Sequence, residues 1–268
     1  MERRAFLAAS TAAALAHPQP LAAAPATAGQ PAPGGSPVLL ELRRYRLRSG
    51  PMAARFSAYA KDALVPALGR AGHSPVGAWN VSFGPQSPTL HLLVPHESAS
   101  SLVTLESLLA GDAEYARAAR SLLALPPSDP PFERCDSSLL AAVPTLPGIR
   151  KPEGPAASAS RVFELRTYRS PSEPAGRRKL EMFEAGGELA IFARLGLHTV
   201  FFGRDLVGHG LPSLTYMCAF ADVPAREKAW ASFREDPEWV KLRDQPAYAD
   251  IVSGIDAALL RPTDYSQI

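Results

Sequence analysis

Two stretches of this sequence carry the same three reactive side chains at the same spacing. A glutamate, an arginine and a tyrosine occupy alternate positions in each stretch: Glu41, Arg43 and Tyr45, then Glu164, Arg166 and Tyr168. Alternate side chains of a β-strand share one face, so the three groups should lie together. Such a face could line a cavity in which an arginine binds an anionic or carbonyl group. It could instead form structural ion pairs that hold two sheets together.

His91 is a second candidate for chemistry. It stands between Leu90 and Leu92, so an extended strand turns its ring away from the face that these leucines share. Histidine changes charge near neutral pH, which makes His91 a candidate general base, with Tyr45 assisting proton transfer. The alternative is a hydrogen-bonded wall residue. We expect ligand contacts from His91, from Trp79 and from the six residues of the repeated strand.

Motifs for metal binding, phosphate binding and acyl transfer are absent from the sequence. No two histidines stand four apart, and neither Cys-x-x-Cys nor Gly-x-Ser-x-Gly occurs. Gly203, Gly208 and Gly210 precede an expected strand, whereas a phosphate-binding loop precedes a helix. Two cysteines, Cys135 and Cys218, are too few for a disulfide-based fold. We expect no metal and no cofactor.

The chain contains an internal repeat. Residues 40–46 (LELRRYR) recur as residues 163–169 (FELRTYR). Further matches follow in the same order, 124 residues apart: Gly72 with Gly196, Gly84 with Gly208, Pro88-Thr89-Leu90 with Pro212-Ser213-Leu214, and Asp112 with Asp236. This period is too long for a solenoid, so we predict a duplicated small domain.

Both repeats show the same order of elements. An alternating strand leads to an amphipathic helix, a hairpin with a glycine-rich turn, a second helical region and a closing strand. This βαββαβ order is the ferredoxin-like unit. Its helices cover one face of the sheet and leave the other bare. We therefore predict an α+β fold in which two tandem ferredoxin-like repeats pack sheet to sheet as an α/β barrel.

The alternation in the opening strands divides their side chains between two faces. We expect the apolar face to meet the helices; its residues are Leu40, Leu42, Phe163 and Leu165. The Glu-Arg-Tyr face should then point between the two sheets, where a ligand would lie.

The N-terminus is typical of an export signal. Arg3 and Arg4, one spacer, Phe6-Leu7 and an alanine-rich stretch resemble a twin-arginine leader with small-residue cleavage sites. A periplasmic or secreted protein that engages the twin-arginine export machinery is therefore expected. The predicted organisation is a signal peptide at 1–28, a linker at 29–37, a domain at 38–144, a linker at 145–160 and a domain at 161–265.

Composition limits the classes of partner. The chain has 268 residues and a net charge of +2, so its charge balance does not favour nucleic acid or an anionic membrane surface. No apolar run reaches the ~18 residues of a transmembrane helix. We expect a small-molecule ligand, no nucleic acid and no integral membrane segment; a homo-oligomer is compatible with the sequence.

The motifs of the two repeats resemble those of the NIPSNAP family, in the dimeric α/β-barrel superfamily. The similarity rests on Glu-Leu-Arg-x-Tyr-Arg at the start of each repeat, on Gly77-Ala78-Trp79, on Gly84 and on Leu90-His91-Leu92. It covers residues 38–144 and 161–265. The second repeat departs from the pattern, because residues 201–204 (FFGR) replace Gly77-Ala78-Trp79-Asn80 and Thr215 replaces His91.

The resemblance implies the fold more directly than an activity, since the superfamily includes cofactor-free monooxygenases, isomerases, heme enzymes and binding proteins. Three hypotheses follow. The first is an exported protein that binds a small molecule between the two sheets. The second is a cofactor-independent enzyme of monooxygenase or isomerase type, acting on an aromatic or polyketide-like compound. The third is a structural or oligomerising module.

Overall fold

The computed structural model describes residues 38–153 and 160–268. The predicted signal peptide and first linker lie outside these ranges. The first repeat supplies four strands: β1 (Leu39–Arg46), β2 (Gly77–Phe83), β3 (Thr89–His96) and β4 (Arg134–Ala142). The second repeat supplies the equivalent four: β5 (Val162–Arg169), β6 (His198–Val207), β7 (Ser213–Phe220) and β8 (Gly254–Pro262).

The strands form one closed barrel in the order β1-β3-β2-β8-β5-β7-β6-β4. Neighbouring strands are antiparallel throughout, and each repeat contributes four adjacent strands. The repeats join where β2 pairs with β8 and where β4 pairs with β6. The predicted α/β barrel of two ferredoxin-like repeats is confirmed.

Helices cover the outside of the barrel. In the first repeat, α1 (Pro51–Tyr59) continues through a π-helical turn (Ala60–Leu64) into α2 (Val65–Arg70), and α3 (Ala99–Gly111) and α4 (Ala113–Leu123) follow β3. In the second repeat, α5 (Glu173–Phe183) and α6 (Glu188–Arg194) precede β6. After β7 come α7 (Val223–Glu235), α8 (Pro237–Arg243) and a 3₁₀ turn (Pro246–Tyr248).

Equivalent aspartates divide the second helical region of each repeat. Asp112 caps α4 by accepting hydrogen bonds from the backbone N–H groups of Glu114 and Tyr115, both at 2.9 Å. Asp236 caps α8 in the same way. A side-chain oxygen at this position satisfies backbone donors that have no partner within the helix, so the cap sets where the second helix begins.

The segment after each closing strand crosses onto the other repeat. Val143 and Arg150 donate backbone hydrogen bonds to Phe202 and Val200, the latter at 2.7 Å. After β8, Thr263 and Gln267 donate to Ala78 and Val76, both at 3.0 Å. The two crossings are equivalent, since Val76 and Ala78 occupy the same positions in the first repeat as Val200 and Phe202 in the second. Each repeat therefore completes the sheet of the other.

One end of the barrel interior is filled by apolar side chains from both repeats. Trp79 packs edge-on against Phe163, with ring centroids 5.4 Å apart. The same cluster contains Leu40, Leu42, Leu93, Leu140, Leu165, Phe201, Met217 and Leu260. This end is a dry core rather than a ligand pocket, because its largest side chains are fully buried against one another.

The expected orientation of the opening strands is wrong. Leu40, Leu42, Phe163 and Leu165 point into the barrel, whereas the polar set, Glu41, Arg43, Tyr45, Glu164, Arg166 and Tyr168, lies between the sheet and the helices. Tyr45 packs against Phe56 of α1 with ring centroids 4.6 Å apart, and Glu164 accepts a hydrogen bond from Trp230 of α7. The helices supply partners for the charged groups, so these groups tolerate burial there.

The barrel core should dominate stability. Phe163→Ala removes a fully buried ring from the interior and is expected to lower the free energy of unfolding by about 3–5 kcal/mol. The matched control is Phe83→Ala, since Phe83 is 77% exposed and should change stability by less than about 0.5 kcal/mol. Urea unfolding followed by circular dichroism measures both. Equal effects from the two substitutions would contradict this core assignment.

Candidate functional site

The other end of the barrel interior holds a cavity of about 410 Å³. Its polar wall in the first repeat includes Arg44, Arg46, His91, Asp136 and Ser138. The second repeat contributes Thr167, Arg169, Asp205, Thr215 and Asp256. Leu42, Leu165 and Ala258 also line it and belong to, or pack against, the apolar core. The interior is thus apolar at one end and polar at the other.

Two equivalent ion pairs stand in the cavity wall. Arg46 pairs with Asp136 at 2.7 Å, and Arg169 pairs with Asp256, with a second contact at 3.0 Å. The strand registers place Arg46 and Arg169 at the same position, and Asp136 and Asp256 likewise. Both arginines are about a third exposed. Because both arginines reach solvent, the pairs lie at the opening of the cavity. Each pair joins opposite charges, so the two pairs add little net charge to the wall.

The repeats also differ at other positions around the same cavity. Cross-strand registers match Arg44 with Thr167, His91 with Thr215, Ser138 with Ala258, and Asp205 with Val81. Each repeat therefore supplies a different part of the wall. The lining of the cavity is therefore asymmetric, although the fold that encloses it is built from two similar repeats.

Arg44 is the cation of the cavity that lacks an acidic partner. Its Nη2 donates to Ser138 Oγ at 2.7 Å, while its Nε is buried without a hydrogen-bond partner. No ion pair to Arg44 occurs within residues 38–153 and 160–268. An arginine with a buried free donor is suited to bind a carboxylate or carbonyl oxygen.

His91 lies beside Arg44 on the adjacent strand and lines the cavity, as its alternation with Leu90 and Leu92 predicted. Burial, aided by the positive charge of Arg44, lowers the pKa of His91 to about 3. The ring is therefore neutral across the physiological range, and its Nδ1 is buried without a partner. The expectation of a base that titrates near neutral pH is corrected: His91 presents a neutral ring with an unpartnered nitrogen to the cavity.

Asp205 is the carboxylate of the cavity that lacks a cationic partner. Its Oδ2 accepts hydrogen bonds from Ser213 at 2.6 Å and Thr215 at 3.0 Å, and its Oδ1 is buried with none. Burial raises the pKa of Asp205 against the opposing effect of these hydroxyls and of Arg44. Sequence reasoning missed Asp205, although its replacement of Val81 in an otherwise matched strand is a detectable signal.

Of the residues expected to bind a ligand, only His91 lies in this cavity. Trp79 is buried in the apolar core. The remaining six, Glu41, Arg43, Tyr45, Glu164, Arg166 and Tyr168, lie on the helix side of the sheet. Tyr45 thus lies on the opposite face of the sheet from His91, so the two side chains do not share one site.

The Glu-Arg pairs on the helix side form structural networks. Glu41 contacts Arg43 at 2.8 Å, Ser137 at 2.7 Å and His96 at 3.2 Å. Burial alone would raise the pKa of Glu41, but the hydrogen bonds from His96, Arg43 and Ser137 outweigh it and lower the pKa to about 2. These satisfied contacts agree with the ion-pair interpretation of the repeated motif.

The equivalent network of the second repeat draws on α7. Glu164 contacts Arg166 at 2.7 Å, Arg226 at 2.8 Å and the indole nitrogen of Trp230 at 2.6 Å. Here too the hydrogen bonds overcome burial and lower the pKa of Glu164. Both carboxylate oxygens of Glu164 thus accept hydrogen bonds from the protein itself.

Candidate metal ligands do not cluster in the described part of the chain. No group of three histidine, cysteine or acidic side chains there could hold a metal ion. In the same ranges, no helix is long and apolar enough to cross a membrane. The two cysteines are free thiols, with Cys218 buried in β7 and Cys135 exposed on β4.

Comparison with known families assigns the second repeat. Residues 163–267 match the family model described as NIPSNAP. The second repeat is therefore similar to NIPSNAP domains. The first repeat shares the opening motif and the strand order of this matched repeat. No curated protein matches the sequence of the chain.

Solved structures share the barrel. A candidate monooxygenase from Lactobacillus acidophilus NCFM is 8% identical with a TM-score of 0.55, over 84% of this chain and 94% of its own. An anthrone oxidase-like protein is 12% identical with a TM-score of 0.50, over 85% and 92%. A NIPSNAP-like domain protein from Burkholderia xenovorans is 19% identical with a TM-score of 0.38, over 41% and 92%. At these identities the first two show a common fold.

The buried neutral state of His91 predicts a pH effect on stability. The unfolded chain takes up a proton at His91 near the ordinary pKa of about 6.5, whereas the folded barrel resists it down to about 3. Acid therefore favours unfolding across this window. His91→Gln should remove a few kcal/mol of that loss between pH 6.5 and pH 4, and should change stability at pH 8 by no more than about 1 kcal/mol.

Urea unfolding of the wild type and the variant across this pH range measures the effect. The control is His209→Gln, since His209 also lines the cavity but its side chain is 81% exposed. Acidic groups titrate in all three proteins and cancel in the comparison. Parallel pH profiles for the wild type and His91→Gln would show that His91 is not held neutral by burial.

Proposed function

We propose that this chain binds a small organic molecule in the polar end of its barrel, with Arg44 holding an anionic or carbonyl oxygen. The family match and the monooxygenase-like fold fit a small-molecule-binding or enzyme-like role. The observation that carries the proposal is the divergence of the two repeats. Their ion pairs are equivalent, whereas Arg44, His91, Ser138 and Asp205 have no like counterpart and all line one cavity.

Unpartnered buried groups support a binding role. An ionised side chain taken out of water loses several kcal/mol of solvation unless a partner replaces the water. Arg44 Nε, His91 Nδ1 and Asp205 Oδ1 are each buried without a hydrogen-bond partner. Native proteins leave few such groups. These three, together with the Nε of Arg46, belong to residues that line one cavity and fit a ligand that supplies missing partners.

The size and floor of the cavity fit an organic molecule rather than a bare ion. A volume of about 410 Å³ lies within the usual range of ligand pockets, about 300–1,000 Å³. Leu42, Leu165 and Ala258 give the wall an apolar portion, so the bound molecule combines a hydrocarbon part with polar groups directed at Arg44 and Asp205.

Enzymatic proton transfer is the second candidate, and Asp205 favours it. A buried carboxylate with a raised pKa and a free oxygen is suited to act as a general base. By analogy with the monooxygenase and anthrone oxidase-like proteins that share the fold, this second proposal is a cofactor-independent monooxygenase or isomerase. Its substrate would be an aromatic or polyketide-like compound. For a substrate once identified, Asp205→Asn should lower turnover about a hundredfold or more while binding persists; unchanged turnover rules Asp205 out as the base.

Arg44 should determine ligand retention. Wild-type protein purified under native conditions is extracted with organic solvent, and the released molecules are identified by mass spectrometry. Arg44→Met should retain about 10- to 100-fold less of the compound, because a hydrogen bond to a charged group contributes about 1.5–3 kcal/mol. Arg48→Met is the control, since Arg48 forms an exposed ion pair outside the cavity. Equal retention in all three proteins, or a wild type that releases nothing, contradicts the proposal.

We also propose that the protein is exported by the twin-arginine route and functions in the periplasm or outside the cell. The support is the order of Arg3 and Arg4, the weakly apolar segment and the small-residue sites in the sequence. A ligand-binding barrel that folds before transport suits this route, because twin-arginine substrates cross the membrane in folded form.

Replacing Arg3 and Arg4 by lysine should abolish export while preserving charge. The wild type should yield a periplasmic product that begins near Pro25 or Gly29, and the double variant should remain as full-length precursor in the cytoplasm. Cell fractionation with intact-mass analysis measures both. A periplasmic wild-type protein that keeps its complete N-terminus would refute the cleavage, and an exported double variant would refute the route.

A further inference from the structure

We propose that the molecule held in this cavity is a small hydroxycarboxylate, with its carboxylate on Arg44 and its hydroxyl donating to Asp205 Oδ1. The inference rests on the proposed function and adds the chemical class of the ligand. Certain polar atoms of the cavity wall lack hydrogen-bond partners. Each of them is a donor or an acceptor, and this determines which group the ligand must present to it.

The hydrogen bonds around Asp205 fix what its free oxygen requires. The hydroxyls of Ser213 and Thr215 both donate to Oδ2. Thr167 and Thr215 lie 2.9 Å apart, and because the Thr215 proton is committed to Asp205, Thr167 is the donor between them. The two hydroxyls that reach the carboxylate therefore both donate to the same oxygen, Oδ2. The other oxygen, Oδ1, accepts no hydrogen bond within the protein, so in the ionised carboxylate it requires a donor from the ligand.

Arg44 requires the opposite kind of partner. Guanidinium groups donate and never accept, and the buried Nε of Arg44 is a donor without an acceptor. Arg44 pairs across the strands with His91, and both residues line the same cavity as Asp205. No ion pair joins Arg44 to Asp205 in the described part of the chain. A single ligand can therefore stand between them, with an anionic group at one and a donor at the other.

A hydroxyl satisfies this wall better than an ammonium group. An ammonium group brings three donors, whereas the unpartnered acceptors available are Asp205 Oδ1 and at most His91 Nδ1. One of its protons would remain buried without an acceptor. A hydroxyl brings one donor for Asp205 and can accept from the His91 ring if that nitrogen carries a proton. A keto oxygen brings no donor and would face the carboxylate.

Matched probe pairs test the class directly. Mandelate and benzoylformate differ only in a hydroxyl or keto group on the carbon next to the carboxylate; 3-hydroxybutyrate and acetoacetate differ in the same way one carbon further. Titration calorimetry at pH 8, where the carboxylates of the probes are ionised, gives the dissociation constants. In at least one pair the hydroxy acid should bind about tenfold or more tightly than its keto counterpart.

Asp205→Asn should reverse this preference. The amide oxygen keeps the position that accepts from Ser213 and Thr215, which places the amide NH₂ where Oδ1 stood. The amide NH₂ then donates to the ligand where the carboxylate oxygen accepted, so the keto acid should bind more tightly than the hydroxy acid. Asp129→Asn is the control, since Asp129 is exposed in an ion pair with Arg55, and it should keep the wild-type order.

Several outcomes would overturn the assignment. Equal binding within both pairs, a keto preference in the wild type, or an unchanged order in a folded Asp205→Asn variant each would do so. Tighter binding of phenylglycine than of mandelate would indicate an amino acid instead. If circular dichroism shows that Asp205→Asn is unfolded, the wild-type preference alone decides.

Failure of this inference is distinguishable from failure of the proposed function. A wild type that binds none of the probes at 10 mM refutes the hydroxycarboxylate class. The proposed function is judged separately, by whether a molecule retained from the cell depends on Arg44. Arg44-dependent retention of a different compound would preserve the binding role and reject the class.

Discussion

Strand pairing between the two repeats is the interaction on which the rest of this structure depends. A four-stranded ferredoxin-like sheet has two free edges, and exposed edges invite non-native pairing. Here β2 pairs with β8 and β4 with β6, so both edges of each sheet are covered by the other. Closure creates an interior that neither repeat encloses alone. The dry core and the polar cavity each take side chains from both halves.

The interior changes character along the barrel axis, and this gradient determines what its polar groups can do. At one end Trp79 and Phe163 exclude water completely. At the other end Arg46 and Arg169 reach solvent and pair with aspartates. Arg44 and Asp205 line the cavity between the apolar core and the solvent-exposed ion pairs. They are buried enough to interact strongly with a ligand, because electrostatic attraction grows as water is removed.

The fold was predictable because its signals are local and occur twice. The helix and strand order follows from periodicity, and the matched motifs of the repeats gave the pairing partner. The inward face of β1 and β5 was not predictable, since alternation shows which side chains share a face and not where that face points. Both faces of these strands are buried. The choice depends on partners distant in sequence, such as Trp230 and Arg226 for Glu164.

The site was only partly predictable for a related reason. His91 was placed correctly, because Leu90 and Leu92 gave its strand one clearly apolar face. Arg44 stands directly across from His91 in the antiparallel pairing, and that register cannot be read from either strand separately. Asp205 departs from the repeat pattern without belonging to any motif. Its significance emerges only when the hydroxyls of Ser213 and Thr215 are seen to occupy one oxygen and leave the other.

Fusion of the two repeats into one polypeptide removes a constraint that governs symmetric assemblies. A homodimer built from one repeat would present every interior side chain twice, related by a two-fold axis. Two arginines at the position of Arg44 would then share one small chamber and repel each other. In the fused chain Thr167 replaces the second arginine. A pseudosymmetric barrel can thus bind an asymmetric ligand. One ligand molecule then binds per polypeptide, in a single orientation.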